Sequence, residues 1–254
     1  MLELANVSYA YGDAAAVREV TLRVDQRQLV ALAGPNGSGK STLLKLVARV
    51  FAAQSGEVSL DGKTIAQWPA KEYARQVGYL PQDPDPAFPM RAIDVVVSGR
   101  APYSTRFAWE TDEDWREAER ALALCDAAHL ADRYFDEMSG GERKRVFLAR
   151  VLAGTPRLIL LDEPLAALDV SHMQQFSALL REIVDRTGAS VLFASHDLNW
   201  AAAYSDRMLI MDRGTLALDA TPAEVMRPEV MRTYFGFDVE AVTAGGRSWV
   251  VPKI

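Results

Sequence analysis

Between Gly34 and Ser41 the sequence reads GPNGSGKS. The spacing fits GxxxxGK[ST], in which glycines let backbone N–H groups converge on phosphate oxygens while a lysine adds charge and a hydroxyl reaches a divalent cation. Lys40 is placed for the β and γ phosphates of a nucleotide and Ser41 for Mg²⁺. Pro35, Asn36, Gly37, Ser38, Gly39 and Thr42 complete the cradle. A second group, RLILLDEP from Arg157 to Pro164, ends an apolar run on two carboxylates, Asp162 and Glu163. A lone acid there would read as a solvated strand end. Beside a phosphate loop, the first acid fits a magnesium shell and the second can take a proton from an attacking water.

Three further positions join these by placement. His196 closes the apolar run SVLFAS and can reach a γ-phosphate from a strand's carboxyl end, although a lone histidine there also serves structure. Gln82 lies in PQDPDPAFP, residues 81 to 89, where four prolines forbid regular structure and mark a hinge or boundary. Its side-chain carbonyl can contact Mg²⁺ or water from a segment able to move. Tyr11 can stack on adenine, with core packing nearly as good an account and Tyr9 a competitor. His129 and His172 receive no chemistry and are expected on helix surfaces or in local packing.

A second anion site stands at EMSGGERKRVFLAR, residues 137 to 150. Ser139 and Glu142 make the capping pattern that opens a helix, and Gly140 and Gly141 leave its start bare to an anion. The chain therefore carries two anion-seeking helix starts but one Lys40, one acid pair and one His196. Two chains facing each other would complete two sites. Arg143, Lys144, Arg145 and Arg150 on this helix suit a solvated face or a contact with a partner or lipid.

The elements that must hold these groups alternate. Strands are expected near Leu2 to Tyr9, Val20 to Val24 and Leu29 to Gly34, then a helix with Leu43, Leu44, Leu46, Val47, Val50 and Phe51 on a 3.6-residue period. From Arg157 onward come a strand, a helix striped by Met173, Phe176, Leu180 and Ile183, the strand SVLFAS, a helix from Asp197 and the strand RMLIMD. Continuous apolar strands alternating with helices signal a parallel sheet covered on both faces, an α/β core. Residues from about Ile93 to Ala153 are helical throughout, with a cap at Thr111 and an end at Gly154 and Pro156.

At 254 residues, 49% of them hydrophobic, the chain can bury a sizeable core. A formal net charge of -6 argues against life on a nucleic-acid backbone. The single cysteine, Cys125, shares a helical face with Trp115, Ala118 and Leu122, so an apolar buried role is expected. The opening residues show no secretory or transit pattern, and the apolar stretches are shorter than a membrane span.

In their order these motifs resemble the ATP-binding subunit of an ABC transporter. GPNGSGKS looks like the Walker A loop, Gln82 like the Q-loop glutamine and MSGGE like the family signature. LILLDEP looks like Walker B, ALD at Ala167 to Asp169 like the D-loop, and His196 like the switch histidine. The resemblance implies a P-loop NTPase core with a mainly parallel sheet, antiparallel N-terminal strands and a helical insertion. It implies one ABC ATPase domain over 1–254, with a core of 1–82 and 156–254 and a signature-bearing helical part, 83–155. It also implies ATP and Mg²⁺ as ligands, with Ser41, Gln82 and Asp162 at the metal, and Glu163, His196, Gln82 and Lys40 in catalysis. Tyr11 would meet the base, while Ser139, Gly140, Gly141, Glu142 and Asp169 would close over nucleotide held by a second copy.

The stretch from Met90 to Leu122, with Gly99 and Arg100 ahead of an aromatic and proline-containing run, is similar to importers of iron chelates, haem and cobalamin. A homodimer at the cytoplasmic face of the membrane would then work with two permease subunits and an external binding protein, with no nucleic acid. A soluble ABC ATPase acting on nucleic acid or the ribosome is the alternative. Met138 replaces the usual signature leucine and Glu142 the commonest glutamine. Leu165 and Ala166 stand where polar residues often sit, which implies weaker contacts across the interface.

Overall fold

Residues 1–84, 89–104, 110–166 and 168–253 are described in the computed structural model of the chain, which divides into two compact units, Met1–Gln67 with Ser190–Ile254 and Trp68–Ala189. Ala167, residues 85–88 of the proline-rich stretch and residues 105–109 of the run after Gly99 and Arg100 lie outside the described residues.

The first unit begins with β1 (Leu2–Tyr11), β2 (Ala14–Val24), β3 (Leu29–Ala33), α1 (Lys40–Val47), β4 (Ser55–Leu60) and β5 (Lys63–Thr64). The second contains α2 (Ala70–Gln76), β6 (Val77–Leu80), α3 (Ala92–Val97), α4 (Asp112–Leu124), α5 (Gly140–Ala153), β7 (Leu158–Asp162) and α6 (Val170–Thr187). The chain returns to the first unit with β8 (Ser190–Ala194), α7 (Leu198–Tyr204), β9 (Arg207–Asp212), β10 (Thr215–Ala220), β11 (Val239–Ala244) and β12 (Arg247–Pro252).

Within the first unit, β2, β1, β4 and β5 form an antiparallel sheet in that order. In a second sheet β3 runs parallel to both β8 and β9, with Leu32 opposite Ala194 and Leu209, and β10 adds an antiparallel strand to β9. Every residue of β3 and β8 is buried, which is why these strands read as unbroken apolar runs rather than alternating ones. In the second unit β6 and β7 pair in parallel, with Leu80 opposite Leu161.

The helix after the phosphate loop is shorter than its apolar period suggests. It stops at Val47, Arg49 turns left-handed at φ 58, and Val50 is 54% exposed. Phe51 leaves the helical stripe and stacks face to face on Tyr9, with ring centroids 5.1 Å apart. Among the described residues from Ile93 to Ala153 the chain forms α3, α4 and α5, with 3₁₀ turns after α3 and between α4 and α5. Thr111 caps α4 with a reciprocal bond from Asp114, and Gly154 ends α5. Cys125, fully buried at the end of α4, has its thiol pushed upward in pKa by desolvation.

One buried ion pair organises the second unit. Arg100 Nε donates to Asp114 Oδ1 at 2.8 Å and its NH1 to the Ala153 carbonyl at 3.1 Å, while the guanidinium lies 3.7 Å from the Tyr103 ring centre. Tyr103 in turn donates to the Gly154 carbonyl at 3.0 Å. Gly99 is required beside it, because a Cβ there would lie 2.0 Å from the Arg150 carbonyl oxygen. The Gly99–Arg100 pair thus fastens the carbonyl end of α5 to the start of α4.

Candidate active site

In the first unit the phosphate loop leaves the buried end of β3. Gly34 adopts φ 145, and a Cβ on it would fall 2.1 Å from the Met211 carbonyl oxygen of β9; at Gly39, φ 103, it would fall 2.2 Å from Ala16 O. Larger residues at either place would displace backbone, so the loop is held tightly between β9 and β2. Lys40, only 7% exposed, folds its ammonium onto the loop and donates to Gly34 O at 2.8 Å and Pro35 O at 3.1 Å. Ser38 Oγ is buried and has no hydrogen-bond partner among the described residues. An orphaned hydroxyl, a buried ammonium and glycines with no room for a Cβ fit a loop built for phosphate.

Tyr11 stands beside this loop, its hydroxyl 3.4 Å from Thr42 Oγ1. Tyr11 is 48% exposed and its ring meets Tyr9 and Phe51 edge-on, whereas Tyr9 is spent in the stack with Phe51. Of the two tyrosines, Tyr11 is the one with a ring open to a base. His196 follows β8, which neighbours β3, and is exposed at the same edge that delivers the loop. The serine before it is buried and its amide donates to Leu32 O at 3.1 Å, fixing the start of that turn.

In the second unit Asp162 ends β7 and is 3% exposed, with the Tyr79 hydroxyl of β6 at 3.5 Å. Glu163 comes next with a left-handed backbone, φ 52, a conformation costly for a residue with a Cβ. Gln82 lies exposed just past β6, the strand paired with β7, so Gln82 and the acid pair emerge at one sheet edge. Ser139 Oγ accepts from the Glu142 amide at 3.3 Å, and Glu142 Oε2 accepts from the Ser139 amide at 2.8 Å. The capping box lowers the Glu142 pKa, chiefly through the Ser139 amide, with Arg133 at 3.0 Å assisting. Gly140 faces open space. Met138 is buried, so an apolar side chain is what its place demands. Leu165 is buried too.

His172 has a place that its sequence context does not disclose. Asp169 caps α6, accepting from the His172 amide at 2.8 Å, and its other oxygen meets His172 Nδ1 at 2.8 Å. The imidazole lies against Gly141, where a Cβ would come within 3.0 Å of His172 Cδ2. Gly141 of α5 and Asp169, the cap of α6, are brought together by this ring. The basic residues of α5 are likewise engaged within the unit. Arg143 donates to Phe135 O and Asp136 O, Lys144 to Pro164 O and Ala166 O, and Arg145 to Cys125 O and Gln175. Arg150 is exposed by area on the last turn of α5, yet its surroundings desolvate the guanidinium enough to lower its pKa.

Residues 17–166 match the family model described as ABC transporter. The chain belongs to the ABC transporter family. It is 40% identical over 243 residues to the hemin import ATP-binding protein HmuV of Gloeobacter violaceus, covering 93% of this chain and 87% of that one. Identity to the iron(3+)-hydroxamate import ATP-binding protein FhuC of Bacillus subtilis is 35% over 242 residues, covering 95% and 90%. Among solved structures, the dimeric structure of MJ0796, a bacterial ABC transporter cassette, superposes with a TM-score of 0.75 at 26% identity, covering 87% of this chain and 99% of that one. The expected α/β architecture, with its antiparallel N-terminal strands and helical segment, is that of ABC ATPase cassettes.

Proposed function

We propose that this chain is the ATP-hydrolysing subunit of an importer for an iron chelate, haem or cobalamin, acting as a homodimer at the cytoplasmic face of the membrane with two permease subunits and an external binding protein. The reading is carried by one observation above all. A tightly built phosphate loop and an acid pair led by the buried Asp162 occur in a chain alike over nine-tenths of its length to ATP-binding proteins of hemin and hydroxamate import. No helix among the described residues is long and apolar enough to cross a membrane, so the path for cargo would belong to other chains.

The Gly34 to Thr42 loop binds the phosphates, with Lys40 swinging from the loop carbonyls toward the β and γ oxygens, and Tyr11 offers its ring to adenine. Ser41, Asp162 and Gln82 would hold Mg²⁺, which when bound neutralises phosphate charge. Glu163 orients the attacking water and accepts its proton, and His196 contacts the γ-phosphate. The start of α5, with Ser139, Gly140 and Gly141, and the Asp169 segment close over the nucleotide of the second copy, a role in keeping with the dimeric form of the MJ0796 cassette. Loss of the γ-phosphate removes the charge that this helix start attracts, and the pair opens.

The assignment of Glu163 is tested by Glu163→Gln, which keeps the size and removes the base. Turnover should drop by roughly 10²- to 10⁴-fold while ATP binding persists. Wild-type phosphate release from that variant excludes the role. Co-purification of the chain with hydrophobic permease subunits, and haem or ferric-chelate uptake that stops with Glu163→Gln, tests the transport assignment. ATPase stimulation by nucleic acid instead would favour a soluble relative.

A further inference from the structure

Lys144 lies two residues beyond the Ser139–Glu142 capping box, on the face of α5 that looks toward the turn after β7. Its ammonium donates to the Pro164 carbonyl at 2.9 Å and to the Ala166 carbonyl. Those two acceptors belong to the turn closed by the Ala166 amide on the Glu163 carbonyl, 3.1 Å away. Glu163 sits at the head of that turn in its left-handed conformation, which persists only where neighbouring groups fix it. The ammonium is half-buried, and the carboxylates acting on its charge are Asp83, after β6, and Glu163 itself. A cation on the signature helix is therefore joined by hydrogen bonds to the base-bearing turn and by charge to the segment of Gln82.

We propose that Lys144 is a positioning residue for Glu163, holding the turn that aims this carboxylate and coupling it to the helix that begins at Ser139. The inference rests on the assignment of Glu163 as the base. Two hydrogen bonds set the turn, so the required property is a pair of charged donors at the end of a long side chain. Arginine can supply both from its fork, and methionine can fill the space but donate nothing. When the start of α5 engages nucleotide, the same helix carries Lys144 and so the direction of Glu163, which links closure to hydrolysis within one copy.

Steady-state phosphate release by the full chain tests this with Lys144→Met, Lys144→Arg and Glu163→Gln measured side by side. Lys144→Met should lower kcat by on the order of ten- to a hundredfold, the effect of a displaced reacting group, with KM for ATP changed by less than about twofold. Lys144→Arg should recover most of that loss. A methionine variant with wild-type kcat, a change confined to KM, or an arginine variant as slow as the methionine one would overturn the proposal. Should Lys144→Met fail to fold, the pH dependence of kcat in wild type and Lys144→Arg decides. Burial lowers the Lys144 pKa, so wild type should lose turnover on the alkaline side where the arginine variant keeps it, and coincident profiles would count against the inference. A slow Glu163→Gln with a normal Lys144→Met sinks only the positioning role, whereas a fully active Glu163→Gln removes the base assignment beneath it.

Discussion

Arg100→Ala removes the centre of the buried network in the second unit, and its cost can be built from the contacts. Both side chains of the Arg100–Asp114 pair are 9% exposed. The substitution deletes the 2.8 Å bond to Asp114, the 3.1 Å bond to the Ala153 carbonyl and the stack on Tyr103. It leaves Asp114 buried with the Thr111 amide and hydroxyl at 3.0 and 2.8 Å. Breaking one half of a buried pair costs about 3–5 kcal/mol, and the Thr111 bonds place this case near the lower end, about 3 kcal/mol. For a chain of this size about 1 kcal/mol moves the melting midpoint by roughly 2–4 °C, giving a drop of about 6–12 °C by circular dichroism. Replacing both partners, Arg100→Met with Asp114→Leu, should recover much of the loss, since no uncompensated charge then remains. A single variant melting within about 2 °C of wild type, or a double variant no better than the single, would refute the reasoning.

Gly39→Ala forces a Cβ into the Ala16 carbonyl oxygen at a φ of 103; calorimetric titration should show ATP binding lost, and an unchanged affinity would contradict the tight loop. Gly141→Ala should slow phosphate release through collision with His172, and His172→Ala should restore part of the rate in the double variant. Absence of rescue would mean that the added methyl acts on the nucleotide alone. In acid, Asp114 and Glu142 both have folded pKa values below their ordinary ones. Burial raises that of Asp114 but is outweighed by Arg100 and Thr111, and the Ser139 amide chiefly lowers that of Glu142. Their stabilisation is complete above the ordinary carboxylate range and is lost as pH falls through the folded values. Denaturation midpoints should therefore fall below about pH 4, less steeply in Glu142→Gln, and parallel curves would argue against the capping contribution.

The parts of the site built on local chain geometry were legible in the sequence. The glycine spacing of the phosphate loop, the apolar runs of β3, β7 and β8 and the caps at Thr111 and Ser139 depend on neighbours a few residues away. Elements of mixed polarity escaped. β4 pairs with β1 although half its residues are exposed, and β6 is a four-residue strand whose parallel partner lies eighty residues on. The β11–β12 hairpin is held at Val250 by both ends of the Asn199 amide, a contact with no local signature. The same limit hid His172 and Lys144. Each looks like a surface residue of an amphipathic helix until the turn between β7 and α6 is folded against α5. The overlong reading of α1 failed for a different reason, because the apolar period continues through Val50 and Phe51 while the backbone turns at Arg49.

The central claim is that one chain holds half of each catalytic pocket and that nucleotide joins two copies. Analytical ultracentrifugation of Glu163→Gln with and without MgATP measures this directly. The account predicts a monomer without nucleotide and a dimer with it, the dimer being lost when Ser139→Arg blocks the helix start. A variant that binds MgATP and still sediments as a monomer would contradict it.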